Sequence, residues 1–121
     1  LTALLWVGVA VLGGAGAVCR FLLDRAVTTR IGRPFPFGTL AVNLSGALLL
    51  GFLAGLVLPS HLALLVGTGF VGSYTTFSTW MLETQRLTEE RRVWAATANL
   101  AVSVVFGLAA AALGLWLGGR V

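Results

Sequence analysis

Charged side chains fall only within 20–33, within 83–92 and at position 120, so residues 1–19, 34–82 and 93–119 contain no Asp, Glu, Lys or Arg. A membrane crossing takes about 20 consecutive apolar residues. The first and last runs each hold one crossing. The middle run holds two, because Leu58-Pro59-Ser60-His61 inserts a turn signature. The pattern predicts an all-α membrane protein, one domain over 1–121, with four transmembrane helices at about 2–23, 39–58, 62–82 and 93–117. The first run is too long for a signal peptide and lacks a small-residue cleavage pattern, so it is expected to stay as a helix. After it, 21–31 mixes Leu22, Leu23, Val27 and Ile31 with Arg, which predicts a short helix lying in the interface and stopped by Pro34 and Pro36.

Small and polar positions differentiate the helices. Gly13-Gly14-Ala15-Gly16-Ala17 leaves part of the first helix nearly bare, so another backbone can approach it. The second carries Ala47, Gly51 and Gly55 at every fourth position, a packing face, and also Asn43, an amide that must face a partner or a polar cavity. In the third segment, 67–79 holds three Gly and six Ser or Thr in thirteen residues. Backbone leaves the helix at membrane depth only where protein buries it or it lines an aqueous cavity. The third helix is therefore expected to break near 72–76, exposing carbonyls from one half and N–H groups from the other. The fourth has small-residue rows Ser103, Gly107, Ala111 and Ala110, Gly114, Gly118, with Thr97 and Asn99 ahead of them.

Composition narrows the function. Of 121 residues 58% are hydrophobic and 10% charged, and the net charge of +4 comes from eight Arg and no Lys against four acids. Arg at membrane flanks serves anchoring and orientation, so nucleic acid is not implied. The single Cys19 makes neither a disulfide nor a metal cluster and reads as a small packing residue. No enzyme constellation is present: the acids lie at helix ends and His61 is alone at a turn. A small four-helix multidrug-type exporter needs an ionisable carboxylate within the membrane, and the apolar runs contain none. Asp24, beside Arg, reads as an interfacial ion-pair member. Asn43, Thr39, the hydroxyls of the third segment, Asn99, Ser103 and, at the mouth, Arg20 are hydrogen-bond donors suited to a small anion stripped of its water. Phe77 and Trp80, three apart, share a helix face and could turn electropositive ring edges to such an anion or simply pack. A bundle this thin is expected to pair with a second subunit; a non-conducting structural membrane subunit is the remaining alternative.

Taken together, Gly13-Gly14-Ala15-Gly16-Ala17 with Arg20-Phe21, Pro36-Phe37-Gly38-Thr39-Leu40-Ala41-Val42-Asn43 with Gly46, and Gly69-x-x-Gly72-x-x-Thr75-Thr76-Phe77-Ser78-Thr79 resemble the fluoride channels of the Fluc/CrcB type over essentially the whole chain. The resemblance implies a multi-pass protein of the prokaryotic inner membrane. It implies an antiparallel dimer that exports fluoride passively through pores at the dimer interface, around a structural sodium ion that is not transported. By the same resemblance, Gly72 and Thr75 give backbone carbonyls to the sodium. Asn43, Phe77, Ser103 and Arg20 match fluoride-path positions, and Thr76, Ser78 and Thr79 either touch the anion or cap the half-helix. Trp80 stands where a second Phe is usual, offering a ring edge and an indole N–H, and Ser73 stands where Gly is common. Seven Arg lie on one side of the predicted topology and Arg120 alone on the other. The positive-inside rule therefore gives one preferred orientation with both termini outside. The second subunit, inverted, is then either a paired homologue or the same chain inserted both ways.

Overall fold

The computed structural model describes residues 2–121, all helix and connector. The long helices are α1 (Thr2–Ile31), α2 (Phe37–Leu56) and α6 (Val93–Arg120); each is long and apolar enough to cross a membrane. Between α2 and α6 the chain is divided. A short α3 (Ser60–Ala63) runs into a wider π-helical segment (Leu64–Val71) and a last turn, α4 (Gly72–Tyr74). Thr75 is then extended, with φ −81° and ψ 160°, and helix resumes as α5 (Ser78–Glu89).

The separate interfacial helix expected over 21–31 does not exist, since α1 continues through it to Ile31. No Gly or Pro interrupts 20–31, and the hydroxyls there fold back onto their own helix. Thr28 Oγ1 donates to Asp24 Oδ1 at 3.2 Å and Thr29 Oγ1 to the Arg25 carbonyl at 2.8 Å. The helix stops at Gly32, whose φ of +63° suits a residue without Cβ and whose N–H caps the Thr28 carbonyl at 2.9 Å. Thirty residues rise about 45 Å, more than the roughly 30 Å hydrocarbon core, so the last turns of α1 extend beyond it.

Helices α2 and α6 lie backbone to backbone. A Cβ at Gly51 would strike the Ala111 carbonyl, one at Gly114 the Leu48 carbonyl, and one at Gly118 the Phe52 carbonyl. At Gly55 it would come within 2.6 Å of the Leu115 carbonyl. These four positions are where the sequence requires glycine, because any side chain separates the helices. Gly107, in the other predicted small row, has open space instead. The π-helical segment approaches α1 in the same manner, with Gly16 against the Phe70 carbonyl, and α4 follows with the Ser73 hydroxyl against Gly13. Gly13 thus leaves room for the side chain at 73.

The interior is small: Val42, Val71, Tyr74, Leu87 and Ala96 are its buried apolar residues, joined by buried Thr39 and Asn99. Large apolar side chains such as Trp6, Val11, Phe21, Val105, Phe106 and Trp116 point outward. Water would oppose so much exposed apolar surface, whereas lipid accepts it.

Candidate functional site

The interruption at 75–77 lies against α2, where Gly46 gives it space: a Cβ there would overlap Thr75 Cγ2 and come within 3.3 Å of the Tyr74 ring. Three residues on from Gly46 toward the N-terminus, Asn43 holds the break from both sides. Its Nδ2 donates to the Thr76 carbonyl at 2.8 Å, and its Oδ1 accepts from the Thr76 N–H at 2.9 Å. Thr76 in turn caps the following helix, its Oγ1 accepting the Thr79 N–H at 3.2 Å.

Both bonds divert donors from the ordinary helical ladder. In an unbroken helix the N–H of Thr76 would reach the Gly72 carbonyl, and that of Thr79 the Thr75 carbonyl. With Asn43 Oδ1 and Thr76 Oγ1 taking those protons, the carbonyls of Gly72 and Thr75 are left without their helical partners. Thr75 N–H and Thr75 Oγ1 both turn back to the Val71 carbonyl, at 3.0 and 3.1 Å. Tyr74, buried and stacked on Phe70 with centroids 5.9 Å apart, anchors the near end of the break through a 2.7 Å hydrogen bond between its hydroxyl and Ser45 Oγ.

Three concavities meet around Asn43 and Thr76. An open one of about 690 Å³ is lined by Asn43, Gly72, Thr75, Thr76, Phe77 and Trp80 among others. On its other side Asn43 joins Trp80 and Ser103 in a space of about 330 Å³. Thr76 also borders a cavity of about 230 Å³ with Thr79, Thr39, Arg20 and Asp24. The structure thus gathers Asn43, Thr76, Phe77, Trp80, Gly72 and Thr75 in one place, with Ser103 and the Arg20–Thr79 pair on its flanks. Ser78 is exposed in the first turn of α5 and lines none of the three.

Phe77 is 69% exposed and meets Trp80 edge to face, centroids 5.7 Å apart and planes 81° apart. The indole N–H of Trp80, expected to be free for the path, is not: it donates to the Asn99 carbonyl at 3.1 Å. Asn99, 1% exposed, donates its own amide to Thr84 Oγ1 at 2.9 Å, and Thr84 Oγ1 donates to the Trp80 carbonyl at 2.9 Å. This closed network fixes α5 to α6 and leaves Trp80 only its ring to present. Ser103 Oγ is buried with no hydrogen-bond partner, a donor held in reserve beside Asn43.

Two acids sit differently from the sequence expectation. Asp24 is not an ion-pair member: among the described residues the only ion pair is Arg92–Glu90, at 3.8 Å. Asp24 instead accepts from Thr28 and faces the cavity of Arg20. Glu83, read as a helix-end charge, is half-buried near Thr39 and Asp24, and its Oε1 has no hydrogen-bond partner. Position 83 could have been singled out by its register, one turn after Thr79 on α5, the residue that borders the cavity of Thr39 and Asp24.

The family described as CrcB-like protein, Camphor Resistance (CrcB), matches residues 7–115. The chain belongs to the CrcB-like family. The protein named Fluoride-specific ion channel FluC 2 of Mycobacterium tuberculosis (strain ATCC 25618 / H37Rv) is 65% identical over 117 residues, covering 97% of this chain and 93% of the relative. Fluoride-specific ion channel FluC 1 of Leifsonia xyli subsp. xyli (strain CTCB07) is 42% identical over 123 residues, covering 98% and 90%. A further FluC 1, from Symbiobacterium thermophilum (strain DSM 24528 / JCM 14929 / IAM 14863 / T), is 46% identical over 119 residues, covering 93% and 96%. These relatives carry the name of a channel and not of an enzyme, and with its long apolar helices this CrcB-like chain is a multi-pass membrane protein.

Proposed function

We propose that this CrcB-like chain is one subunit of a fluoride-selective passive channel, in which two subunits lie inverted against each other and conduct along their interface. The observation that carries the reading is the open concavity at the helix break. Exposed Phe77, the Asn43 amide and main-chain carbonyls without helical partners share a face that hydrocarbon cannot cover. A second subunit covers it. The two helical pieces over 60–89 then form a fourth, broken crossing between α2 and α6. The relatives' printed names supply the ion.

The donor set suits fluoride. Asn43 uses one of its two N–H groups on Thr76 and keeps the other for the path. The Ser103 hydroxyl, the edge of the Phe77 ring and, at the mouth, Arg20 and Thr79 continue that path. A fluoride ion entering it exchanges water for these fixed donors, while the larger chloride cannot approach them all in the same width. No energy source is needed for a passive leak.

The carbonyls of Gly72 and Thr75 fit a structural sodium ion. They are hard oxygen donors in need of a partner, and two subunits supply four. When bound, the ion adds a fixed positive charge at the interface that ties the two breaks together. The Arg-rich side, formed by the last turns of α1, by α5 and by the connectors that follow each, favours one insertion direction. This supports pairing with an oppositely oriented homologue.

Purified protein in liposomes should release fluoride and retain chloride, and should lose the fluoride current when N-methylglucamine replaces sodium. Equal chloride efflux would reject the reading. The half-buried Glu83 keeps a proton-coupled exporter in view as a rival; such a protein would need a pH gradient, so fluoride efflux unchanged by one removes it. A C-terminal tag labelled equally from both faces would exclude a fixed orientation.

A further inference from the structure

We infer that Asn43 is a positioning residue for the cation site as well as a donor on the anion path: it opens the Gly72 carbonyl by withdrawing the one main-chain N–H that would close it. The inference rests on the reading that Gly72 and Thr75 hold sodium. The Thr76 N–H has two acceptors within its conformational reach, the Gly72 carbonyl of a continued helix and Asn43 Oδ1 of a broken one. It takes the second at 2.9 Å. Asn43 Nδ2 then fixes the other end of the same residue through the Thr76 carbonyl at 2.8 Å, so Thr76 cannot turn back toward α4. Gly46, one turn along α2, leaves the space in which the break rests.

One side chain thereby links the two ions. The face of Asn43 that points at Thr76 prepares the oxygen ligands, and the same residue borders the space shared with Trp80 and Ser103. Removing the amide lets the Thr76 N–H return to the Gly72 carbonyl and compete with sodium for it. A carboxylate at the same position still accepts from Thr76 N–H, so it keeps Gly72 open while repelling an anion.

The test uses the full-length protein, with sodium titrated against N-methylglucamine and two readouts: the sodium-induced rise in thermal midpoint in detergent, and fluoride efflux from liposomes. N43A should need about tenfold more sodium for half of the thermal shift, the ratio expected for one competing main-chain hydrogen bond. N43D should keep a half-effective sodium concentration at or below that of the wild type while losing efflux. N43S, whose hydroxyl is too short to reach Thr76, replaces N43A if the alanine variant does not fold. Wild-type sodium dependence in N43A or N43S would overturn the inference and leave the channel reading intact, as would N43D behaving like N43A. No sodium effect on the wild type at all would remove the cation site itself, and the inference with it.

Discussion

The α2–α6 contact and the segment over 60–89 face one problem, satisfying their main-chain polar groups, and solve it in opposite ways. In α2 and α6 every interior carbonyl keeps its own helical N–H, and glycines at 51, 55, 114 and 118 let the two backbones touch without any polar exchange. In the broken segment side chains replace the ladder. Asn43 serves both main-chain groups of Thr76, Thr76 Oγ1 serves Thr79, and two carbonyls are left over. The first arrangement is chemically silent and serves as a scaffold. The second has unspent acceptors and donors, which is what an ion needs. A membrane protein can leave the helix only where side chains or a partner satisfy the backbone, so interruption and function coincide.

Filling the scaffold should cost most. Gly114→Leu drives a side chain into the Leu48 carbonyl and should lower stability by about 3 kcal/mol, abolishing the monodisperse species on size-exclusion chromatography. Gly46→Ala strikes the break instead, against Thr75 and Tyr74, at about 2 kcal/mol. Here the folded species should persist while fluoride efflux is lost. If Gly46→Ala conducts normally, the break is not as sensitive to position as the contrast requires. Trp80→Phe removes the indole bond to the Asn99 carbonyl, about 1 kcal/mol of thermal stability, and frees the ring to move. Its flux should change measurably; unchanged flux would count against a pore-lining ring. Tyr74→Phe should be mildest, about 0.5 kcal/mol for a half-wet bond to Ser45 with efflux nearly intact.

Much of this was legible from residue order because membrane insertion depends on composition more than on contacts. Runs without charge located α1, α2 and α6, and the density of Gly, Ser and Thr over 67–79 marked the segment that is not a plain helix. Local signals failed where a continuous ladder outweighed them. Arg and Thr over 20–31 suggested a separate interfacial helix, yet nothing in that stretch breaks the backbone, and the side chains simply extend α1 past the hydrocarbon. The hydrogen bonding of the Trp80 indole and of Asp24, and the burial of Glu83, differ from the local reading for a related reason. The indole N–H of Trp80 is taken by a carbonyl nineteen positions on and Glu83 is buried beside the distant Thr39 and Asp24, whereas Asp24 takes a donor one turn away, Thr28, in place of a neighbouring Arg.

By itself, residue order determined that the chain crosses a bilayer, roughly where, with which end arginine-rich, and which segment breaks. These follow from the free energy of moving each side chain into hydrocarbon, a quantity carried by the residue alone. Only the tertiary structure decided that Asn43 clamps Thr76, that the Trp80 indole is spent on α6, and that Gly51 and Gly55 meet Gly114 and Gly118. Those outcomes hinge on hydrogen bonds and atomic overlaps between helices, and directional, short-range forces take their values only when the helices are set against one another.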